Sequence, residues 1–355
     1  MGVYGYDWEP FKITTEDGYV LTLMHITNRT GQKSSVDPNL NPILYVPAMG
    51  SNPDTWLSAG IYTDPPQNAI QLKILDAGHD TWMLYSRGCH YSLEHEKYTT
   101  DDPQFWNFSW YEMGYFDLKA TVDFIYKRTN QRVAMMGYSM GTTQIFAAVA
   151  AEYDFFRSRV HKVVQQAPCV LTDVSMYAGF NTVTVNAIKA TGITSIGGPD
   201  WYLTQGKMRS IIGLKLMQKF LLGGWGTRLI NVSMKSFDHY SQCAKEDRFQ
   251  MYSKSYYTPV VGKKRTELID LSVITAETPF GFFMGELDTT CPSKQNEDAM
   301  AIMGDGVGFA KYYEGVDHTT FILKNTPEYV NDILTFLAPT NSTDSSLLQC
   351  NDQFC

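Results

Sequence analysis

The pentapeptide Gly137-Tyr138-Ser139-Met140-Gly141 constrains the fold of this chain more than any other feature. It follows the apolar run QRVAMM and precedes TTQIFAAVA, a helix-forming segment with small residues in its first turns. A serine at a sharp turn between a buried strand and a helix exposes its hydroxyl, and the flanking glycines let the two elements pass closely. Ser139 is therefore a candidate nucleophile, the alternative being a serine in an ordinary turn between Gly137 and Gly141.

A serine hydroxyl needs a base, and in this strand–turn–helix context an acid and then a histidine follow the serine in the chain. Of the three histidines beyond Ser139, His161 precedes the apolar run VVQQAPCV, and His239 lies in the polar, aromatic segment SFDHYSQC. His318 follows the strand-like FAKYYEGV, and an open α/β sheet places its chemistry in loops after strands. We predict His318 as the base, the alternative being a solvated loop histidine.

The acid is predicted from TPFGFFMGELDTTCPSKQ, where an apolar strand ends and a helix begins near Pro292. Asp288 is the preferred candidate and Glu286 is the second. Asp317 adjoins His318, but neighbouring side chains of an extended segment point to opposite sides, which disfavours it. The competing role for Asp288 is a cap of the turn or helix ahead of Pro292.

Strand and helix patterns alternate along the chain, which predicts a mainly parallel sheet with helices on both faces. Seven segments are predicted as strands: VLTLMHI, NPILYVPA, TWMLYS, RVAMMGY, KVVQQAP, FGFFMG and AKYYEG. Helices are predicted near 113–129, 140–155, 293–304 and 326–338. This α/β core is expected to comprise residues 1–170 and 276–345, followed by a tail at 346–355.

Residues 171–275 separate the strand KVVQQAP from the strand FGFFMG. A crossover needs only about a dozen residues and its helix, so the segment is predicted to be an inserted helical cap over the serine. Within the cap, MRSIIGLKLMQKFLLGGWG is too short and too polar to span a bilayer. It is either a lid that opens at a lipid–water interface or the packed interior of the cap, because an amphipathic helix looks the same in both cases.

Charge and motifs narrow the classes of function. The formal net charge is −8, and there is no basic patch to neutralise phosphates, so a nucleic-acid partner is not expected. No GxGxxG, P-loop, HExxH or His/Cys/Asp cluster occurs. We therefore expect neither a cofactor nor a metal.

Several motifs of this chain occur in the same order as the motifs of a known family and at compatible spacing. The segments are YGYDWEPFKITTEDGYVLTLMHI, AGHDTWMLYSRGCHYS, FWNFSWYEMGYFDLKATVDFI, GYSMGTT, SFDHYSQCAKEDRFQMYS and DHTTFI. Along nearly its whole length the chain resembles the acid lipases of the α/β-hydrolase superfamily, the group that contains gastric lipase and lysosomal acid lipase. The resemblance implies an α/β-hydrolase fold and assigns Ser139, Asp288 and His318 to a catalytic triad.

One loop departs from the family. Where acid lipases carry HGLL after the first core strand, this chain has PAMG at 47–50. By the resemblance, this loop and the residue after the nucleophile form an oxyanion hole, with the backbone amides of Met49 and Met140 as donors. Met140 stands in place of the family's Gln, and Thr320 in place of its Asp two residues after the histidine. These differences leave the triad intact.

The activity that the resemblance implies is a cofactor-free serine hydrolase that cleaves carboxylic esters of neutral lipids, triacylglycerol or sterol ester, through an acyl-enzyme. One alternative is another serine esterase, a phospholipase or an acyltransferase on the same fold. The other is a catalytically silent, hydrolase-like protein that binds lipid or serves as a structural subunit. The altered loop at 47–50 is the sequence feature that favours this second alternative.

The cysteines give a mixed indication of compartment. Cys350 and Cys355 flank a short C-terminal loop and form a candidate disulfide in an oxidising compartment. Cys169 follows an apolar strand and is predicted to be a buried thiol. The other three cysteines lack the spacing of metal ligands and are Cys89, Cys243 and Cys291.

Four N-x-S/T sequons are candidate glycosylation sites and begin at Asn28, Asn107, Asn231 and Asn341. No signal peptide precedes MGVYGYDW, the segment that resembles the start of the mature family members. We expect that such a peptide has been removed and that the protein is secreted or lies in the lysosomal or endomembrane lumen. The alternative is an intracellular protein that never carried one.

Overall fold

A computed structural model of the protein describes residues 6–29, 36–53, 69–170, 192, 194–196, 231–254, 266–291, 293–323 and 327–339. The strands in these ranges are β1 (Tyr6–Thr14), β2 (Tyr19–Arg29), β3 (Ile43–Val46), β4 (Thr81–Tyr85), β5 (Glu94–His95), β6 (Val133–Tyr138), β7 (Val160–Gln166), β8 (Ser195–Ile196), β9 (Val232–Ser233), β10 (Phe280–Gly285) and β11 (Val307–Tyr313). Each of the seven predicted strand segments contributes a strand, whereas β1 and the two-residue strands β5, β8 and β9 were missed.

One large sheet organises the fold. Its strand order is β1-β2-β4-β3-β6-β7-β10-β11, and β5 pairs with β2 beside this path. The run from β4 to β11 is parallel throughout. β1 and β2 are antiparallel additions at one edge, and β8 pairs with β9 in a small separate sheet. The predicted mainly parallel α/β sheet is therefore confirmed.

Helices flank this sheet. In the described ranges they are α1 (Ile70–Asp76), α2 (Trp110–Glu112), α3 (Lys119–Thr129), α4 (Met140–Ala151), α5 (Tyr153–Arg159), α6 (Met234–Glu246), α7 (Ser293–Met303), α8 (Thr320–Leu323) and α9 (Pro327–Leu337). A π-helical segment, Met113–Leu118, joins α2 to α3.

Two predicted helix boundaries differ from the structure for local reasons. The helix predicted at 113–129 begins at Trp110, because Ser109 and Glu112 form a reciprocal capping box. The helix predicted at 140–155 is two helices. Glu152 lies between them with φ −132° and ψ 48°, outside the helical region, so α4 ends at Ala151.

The sheet is buried on both faces, as a parallel sheet with flanking helices requires. Successive residues of β3 alternate between the faces. Ile43 and Tyr45 belong to the core shared with α1 and α9. Leu44 and Val46 belong to the core shared with α3 and α4. This burial fixes the end of each parallel strand, and therefore the position of the loops that carry the candidate site.

Of the predicted cap, 171–275, the structure describes 192, 194–196, 231–254 and 266–275. The helix α6 in this part packs on the core: the Tyr240 hydroxyl donates to Thr143 Oγ1 at 2.8 Å, and His239 stacks on Trp110 with ring centroids 3.8 Å apart. The segment MRSIIGLKLMQKFLLGGWG lies outside the described residues, so its role as a lid stays a prediction. None of the helices in the described ranges combines the length and the apolar run that crossing a membrane needs.

Candidate active site

Ser139 lies at the tip of the turn between β6 and α4. Its φ is 52° and its ψ is −122°, a conformation that L-residues rarely adopt. The flanking glycines permit the turn, because a Cβ on Gly137 would lie 2.8 Å from Ile145 Cδ1 and one on Gly141 would collide with the Val46 carbonyl oxygen. Only a residue without a side chain fits at either position, as the sequence predicted for Gly137 and Gly141.

A hydrogen-bonded chain connects Ser139 to the two predicted partners. His318 Nε2 lies 2.8 Å from Ser139 Oγ, and His318 Nδ1 lies 2.8 Å from Asp288 Oδ2. The Asp288 side chain is 4% exposed and that of His318 is 14% exposed. The second carboxylate oxygen, Asp288 Oδ1, accepts hydrogen bonds from the backbone amides of Thr290 (2.9 Å) and Cys291 (3.0 Å). The structure thus brings together the serine, histidine and aspartate that the sequence singled out.

The alternative acids bond elsewhere. Glu286 is exposed and its carboxylate accepts a hydrogen bond from Gly315 N at 3.0 Å. Asp317 turns toward the start of α8, where its Oδ1 accepts from the amides of Thr319 and Thr320. Partial burial raises the pKa of Asp317, but hydrogen bonds from Thr320 and Thr319 outweigh it and leave this pKa below its usual value. Both groups have roles in turns and helix capping.

The alternative histidines lie away from the serine. His239 is fully buried in α6, with Nδ1 3.0 Å from Ser109 Oγ and Nε2 2.7 Å from the Gln250 carbonyl oxygen. Burial lowers the pKa of His239 to about 4. His161 lies within β7, and burial lowers its pKa to about 4 as well. These two rings are neutral packing elements near pH 7.

The loop at 47–50 lies against the start of α4. Gly50 has φ 64°, a left-handed conformation that glycine adopts without strain. Met140 is the first residue of α4, and amides at a helix N-terminus have no acceptor within the helix. A cavity of about 20 Å³ is bounded by Ala48, Gly50 and Met140 among others, which is room for one water. The role of the Met49 and Met140 amides as oxyanion donors stays a prediction.

A disulfide joins Cys169 to Cys291, with the two Cα atoms 5.1 Å apart. The prediction of a free, buried Cys169 thiol was therefore wrong. The two cysteines follow β7 and β10, which are parallel neighbours, so their loops meet at one edge of the sheet although 122 residues separate them in sequence. Cys89 and Cys243 are buried cysteines that keep their thiol groups. The candidate pair Cys350–Cys355 lies outside the described residues.

The same place holds the one cluster of three potential metal ligands found in the described ranges. The two disulfide sulfurs and a ring nitrogen of His318 lie within 4.8 Å of one another. Because the sulfurs are bonded to each other, they present no thiolate ligand for a metal. The cluster thus adds a disulfide, rather than a metal centre, to the surroundings of His318.

The sequons differ in exposure. Asn107 is exposed, whereas Asn231 is half-buried and its Oδ1 is enclosed. Asn28 lies in β2, near its end, and Asn341 lies outside the described residues. Asn107 is accordingly the most accessible of the candidate glycosylation sites whose surroundings are described.

Comparison with known proteins shows a similarity to lipases. The family described as "Partial alpha/beta-hydrolase lipase region" matches residues 2–60. Gastric triacylglycerol lipase of Mus musculus is 35% identical over 147 residues, which cover 41% of this chain and 35% of the lipase. Lysosomal acid lipase/cholesteryl ester hydrolase of Macaca fascicularis is 26% identical over 289 residues, which cover 72% of this chain and 70% of that protein. The alignment to the gastric lipase thus spans about a third of its length.

Solved structures extend the likeness to the whole chain at the level of fold. A soluble variant of monoglyceride lipase from Saccharomyces cerevisiae superposes with a TM-score of 0.58 at 15% identity, covering 93% of this chain and 94% of that one. An esterase of Pyrococcus furiosus gives a TM-score of 0.53 at 14% identity, covering 95% and 92%. The protein has an α/β-hydrolase fold. Within that fold it resembles the gastric and lysosomal acid lipases, as its sequence motifs predicted.

Proposed function

We propose that this protein is a serine hydrolase that cleaves carboxylic esters of neutral lipids through an acyl-enzyme. The observation that carries the proposal is the unbroken hydrogen-bonded chain from Ser139 Oγ through His318 to the buried Asp288 carboxylate. The chain lies at the carboxyl ends of parallel strands, where α/β sheets bind ligands. It has the three elements of a nucleophile, a base and a group that orients the base.

The first half-reaction forms the acyl-enzyme. Ser139 Oγ attacks the ester carbonyl carbon while His318 Nε2 takes the hydroxyl proton. Asp288 holds the ring through Nδ1, which keeps Nε2 free to accept, and it stabilises the imidazolium that forms. The tetrahedral intermediate collapses when His318 returns the proton to the alcohol oxygen. The alcohol leaves and the acyl group stays on Ser139.

The second half-reaction releases the acid. His318 takes a proton from a water molecule, whose oxygen attacks the acyl carbon, and then returns the proton to Ser139 Oγ. In both halves, negative charge develops on the former carbonyl oxygen. The backbone amides of Met49 and Met140 stabilise this charge, a contribution worth about 3 kcal/mol for each donor in related sites.

The proposed class of substrate is inferred from the relatives and not from the shape of a binding pocket. Two relatives are named as a triacylglycerol lipase and a cholesteryl ester hydrolase, and both act on esters of neutral lipids. The triad itself would serve any carboxylic ester, so hydrolysis of a small soluble ester and of an emulsified triacylglycerol are separate questions.

The test combines covalent labelling with turnover. The wild-type protein, Ser139→Ala and the control Ser158→Ala are treated with a fluorescent alkyl fluorophosphonate at acidic and neutral pH. Ser158 is a matched control, since it lies in α5 and its hydroxyl donates to Phe155 O. We expect the wild type and the control to be labelled and Ser139→Ala to be unlabelled. Labelling of the Ser139→Ala protein would contradict the proposed nucleophile.

Turnover then separates the substrate classes. Hydrolysis of p-nitrophenyl butyrate and of emulsified tributyrin is measured for the same three proteins, and Ser139→Ala should lose at least about a thousandfold in kcat. Activity on the emulsion supports the lipase. Activity confined to the soluble ester would reassign the protein as an esterase, and a well-folded protein that is neither labelled nor active would leave the silent lipid-binding alternative.

The proposed compartment is the secretory or lysosomal lumen. The Cys169–Cys291 disulfide fits an oxidising compartment, and the exposed Asn107 fits an acceptor for glycosylation. We expect a glycan on the Asn107 peptide of protein recovered from its natural source, detected by mass before and after enzymatic deglycosylation. Unmodified sequons together with free Cys169 and Cys291 in that material would favour the intracellular alternative.

A further inference from the structure

The Cys169–Cys291 disulfide lies directly beside the Ser139–His318–Asp288 chain. Cys169 Sγ is 3.9 Å from Ser139 Oγ, and both sulfurs lie within 4.8 Å of a His318 ring nitrogen. Both cysteines are 2% exposed. A covalent cross-link therefore lies in contact range of the nucleophile and of the base.

One end of this cross-link holds the loop that carries the acid. The Cys291 amide donates to Asp288 Oδ1 at 3.0 Å, next to the bond from the Thr290 amide. In the loop 286–291, Glu286, Leu287 and Thr289 are exposed, whereas Cys291 and the carboxylate of Asp288 are buried. Cys291 is thus the anchor of a loop that has few packing contacts of its own.

The other end is fixed to the helix that begins at the nucleophile. The Cys169 amide donates to Thr142 Oγ1 at 2.8 Å, and Thr142 Oγ1 donates to the Ser139 carbonyl oxygen. Thr143 Oγ1 donates to the carbonyl oxygen of Cys169. The disulfide therefore ties the loop of Asp288 to the first turn of α4, which carries Ser139 at its start.

We propose that Cys169 and Cys291 are positioning residues, whose disulfide holds Asp288 in register with His318 and makes turnover sensitive to dithiol reductants. The inference rests on the proposed function of Ser139 as a nucleophile. Catalytic geometry tolerates little error, and a displacement of about 1 Å can cost about a hundredfold in rate. Once the cross-link opens, the loop keeps its hydrogen bonds and the packing of Cys291 but loses its covalent tie to the chain around α4, and Asp288 loses its fixed distance to His318 Nδ1.

The chemical step is a two-electron reduction. A thiolate of the dithiol attacks one sulfur of the protein disulfide, which breaks the S–S bond and forms a mixed disulfide with release of one protein thiolate. The second thiol of the reductant then displaces the other protein sulfur and closes a cyclic disulfide. The protein gains two electrons and two protons as two thiols, and the dithiol is oxidised.

The experiment uses the full chain carrying Cys350→Ser and Cys355→Ser, so that cysteines outside the described residues do not contribute. The kcat and KM for p-nitrophenyl butyrate are measured for the oxidised protein, after dithiothreitol and after reoxidation, with the thiols counted by mass. We expect reduction to lower kcat by about 10- to 100-fold, with KM within about twofold, and reoxidation to restore it. Unchanged kcat in protein with two new thiols would overturn the proposal.

The variant Asp288→Asn distinguishes a disulfide that positions Asp288 from one that only stabilises the structure. If the disulfide acts through Asp288, reduction should change the kcat of Asp288→Asn by less than about twofold, because coupled residues are non-additive. An equally large loss in this variant would contradict positioning and indicate general loosening. The Cys169→Ala/Cys291→Ala protein should have the kcat of the reduced enzyme, and dithiothreitol should not change this kcat. Should that variant fail to fold, reduction and reoxidation of the parent protein still decide.

Different results would contradict the proposed function and the proposed positioning role of the disulfide. An oxidised, folded protein without Ser139-dependent hydrolysis would overturn both the function and the positioning role. Ser139-dependent hydrolysis that is indifferent to reduction, or a mass spectrum with both cysteines free before any reductant, would overturn the positioning role and leave the serine hydrolase intact.

Discussion

At the scale of single residues, Ser139 is held in a conformation that its own side chain disfavours. A non-glycine residue at positive φ costs on the order of 1–3 kcal/mol. Two backbone hydrogen bonds oppose this cost, from Ser139 N to the Gln166 carbonyl oxygen at 3.1 Å and from Thr142 N to the Ser139 carbonyl oxygen at 2.8 Å. The turn is therefore fixed from both sides, and the hydroxyl keeps its direction toward His318.

The assignment of the acid can be tested at this scale with two neighbouring residues. Asp288→Asn keeps the size of the side chain but removes the charge that stabilises the imidazolium. We expect kcat to fall by about 10³- to 10⁴-fold, as in other triads. Glu286→Gln is the matched control, because its carboxylate bonds Gly315 N instead, and it should stay within about threefold of wild type. Steady-state kinetics with p-nitrophenyl butyrate measure both, and the reverse order of effects would reassign the acid.

The sequence could predict Ser139 because a local pattern of strand, turn and helix defines it. It could only rank Asp288 above Glu286, since both follow the end of the same strand and the choice depends on how the turn directs each side chain. The Cys169–Cys291 pair left no local pattern at all. Its two members meet because β7 and β10 are neighbours in the sheet, which is a property of the topology.

At the scale of secondary-structure elements, a buried ion-pair network joins three parts of the chain. Arg87 follows β4, and its Nε and Nη2 donate to Asp117 Oδ1 in the π-helical segment at 2.8 and 2.6 Å. Its Nη1 donates to Asp17 Oδ2, in the turn between β1 and β2, at 2.6 Å. The guanidinium also lies 3.8 Å from the ring centroid of Tyr19. One side chain thus fixes a strand end, a helix and a hairpin relative to one another.

Replacing Arg87 should strongly lower the stability of the protein. Arg87→Met fills a similar volume but leaves the buried Asp117 carboxylate without its partner, so we expect a loss of about 3–5 kcal/mol in the free energy of unfolding. Arg157→Met is the control, because its ion pairs with Asp154 and Glu277 are exposed and screened by water, so we expect a much smaller loss of stability. Urea unfolding at neutral pH measures both variants. Equal losses would show that the buried network has no special weight.

The elements that the sequence predicted well are the buried ones. The apolar run FGFFMG gave β10 with both boundaries, Phe280–Gly285, because burial on both faces leaves a continuous hydrophobic signal. β1 was missed because it lies at the edge of the sheet and most of its residues are exposed, so neither a run nor an alternation marks it. The helix α1 was also missed, being seven residues long with no side-chain cap.

At the scale of the whole molecule, the packing of α6 on the core sets a limit on stability in acid. His239 is fully buried between Trp110 and the chain around Gln250, and burial lowers its pKa to about 4. In the unfolded chain the pKa of a histidine is about 6.5. Between these values the unfolded state binds a proton that the folded state does not, so stability falls as the pH falls from about 6.5 to about 4.

The size of this effect follows from linkage. Each unit of difference in pKa corresponds to about 1.4 kcal/mol, so His239 alone should cost on the order of 3 kcal/mol once the pH has fallen to about 4. The resemblance to acid lipases makes this cost relevant, because the proposed lumen can be acidic. A net charge that approaches zero near the sequence pI of about 5.4 does not remove it, since the cost arises from one buried ring.

The prediction separates this ring from the other groups that titrate in acid. Urea unfolding is measured at pH 7, 5.5 and 4.5 for the wild type, for His239→Gln and for His90→Gln, an exposed histidine that serves as the matched control. His239→Gln is expected to be less stable at pH 7, because the ring and its two hydrogen bonds are lost, but to lose less stability on acidification. The control should keep the wild-type slope, because it removes an exposed side chain and leaves the buried His239 ring in place. A wild-type slope in His239→Gln would show that α6 has already left the core at low pH, exposing the ring before the molecule unfolds.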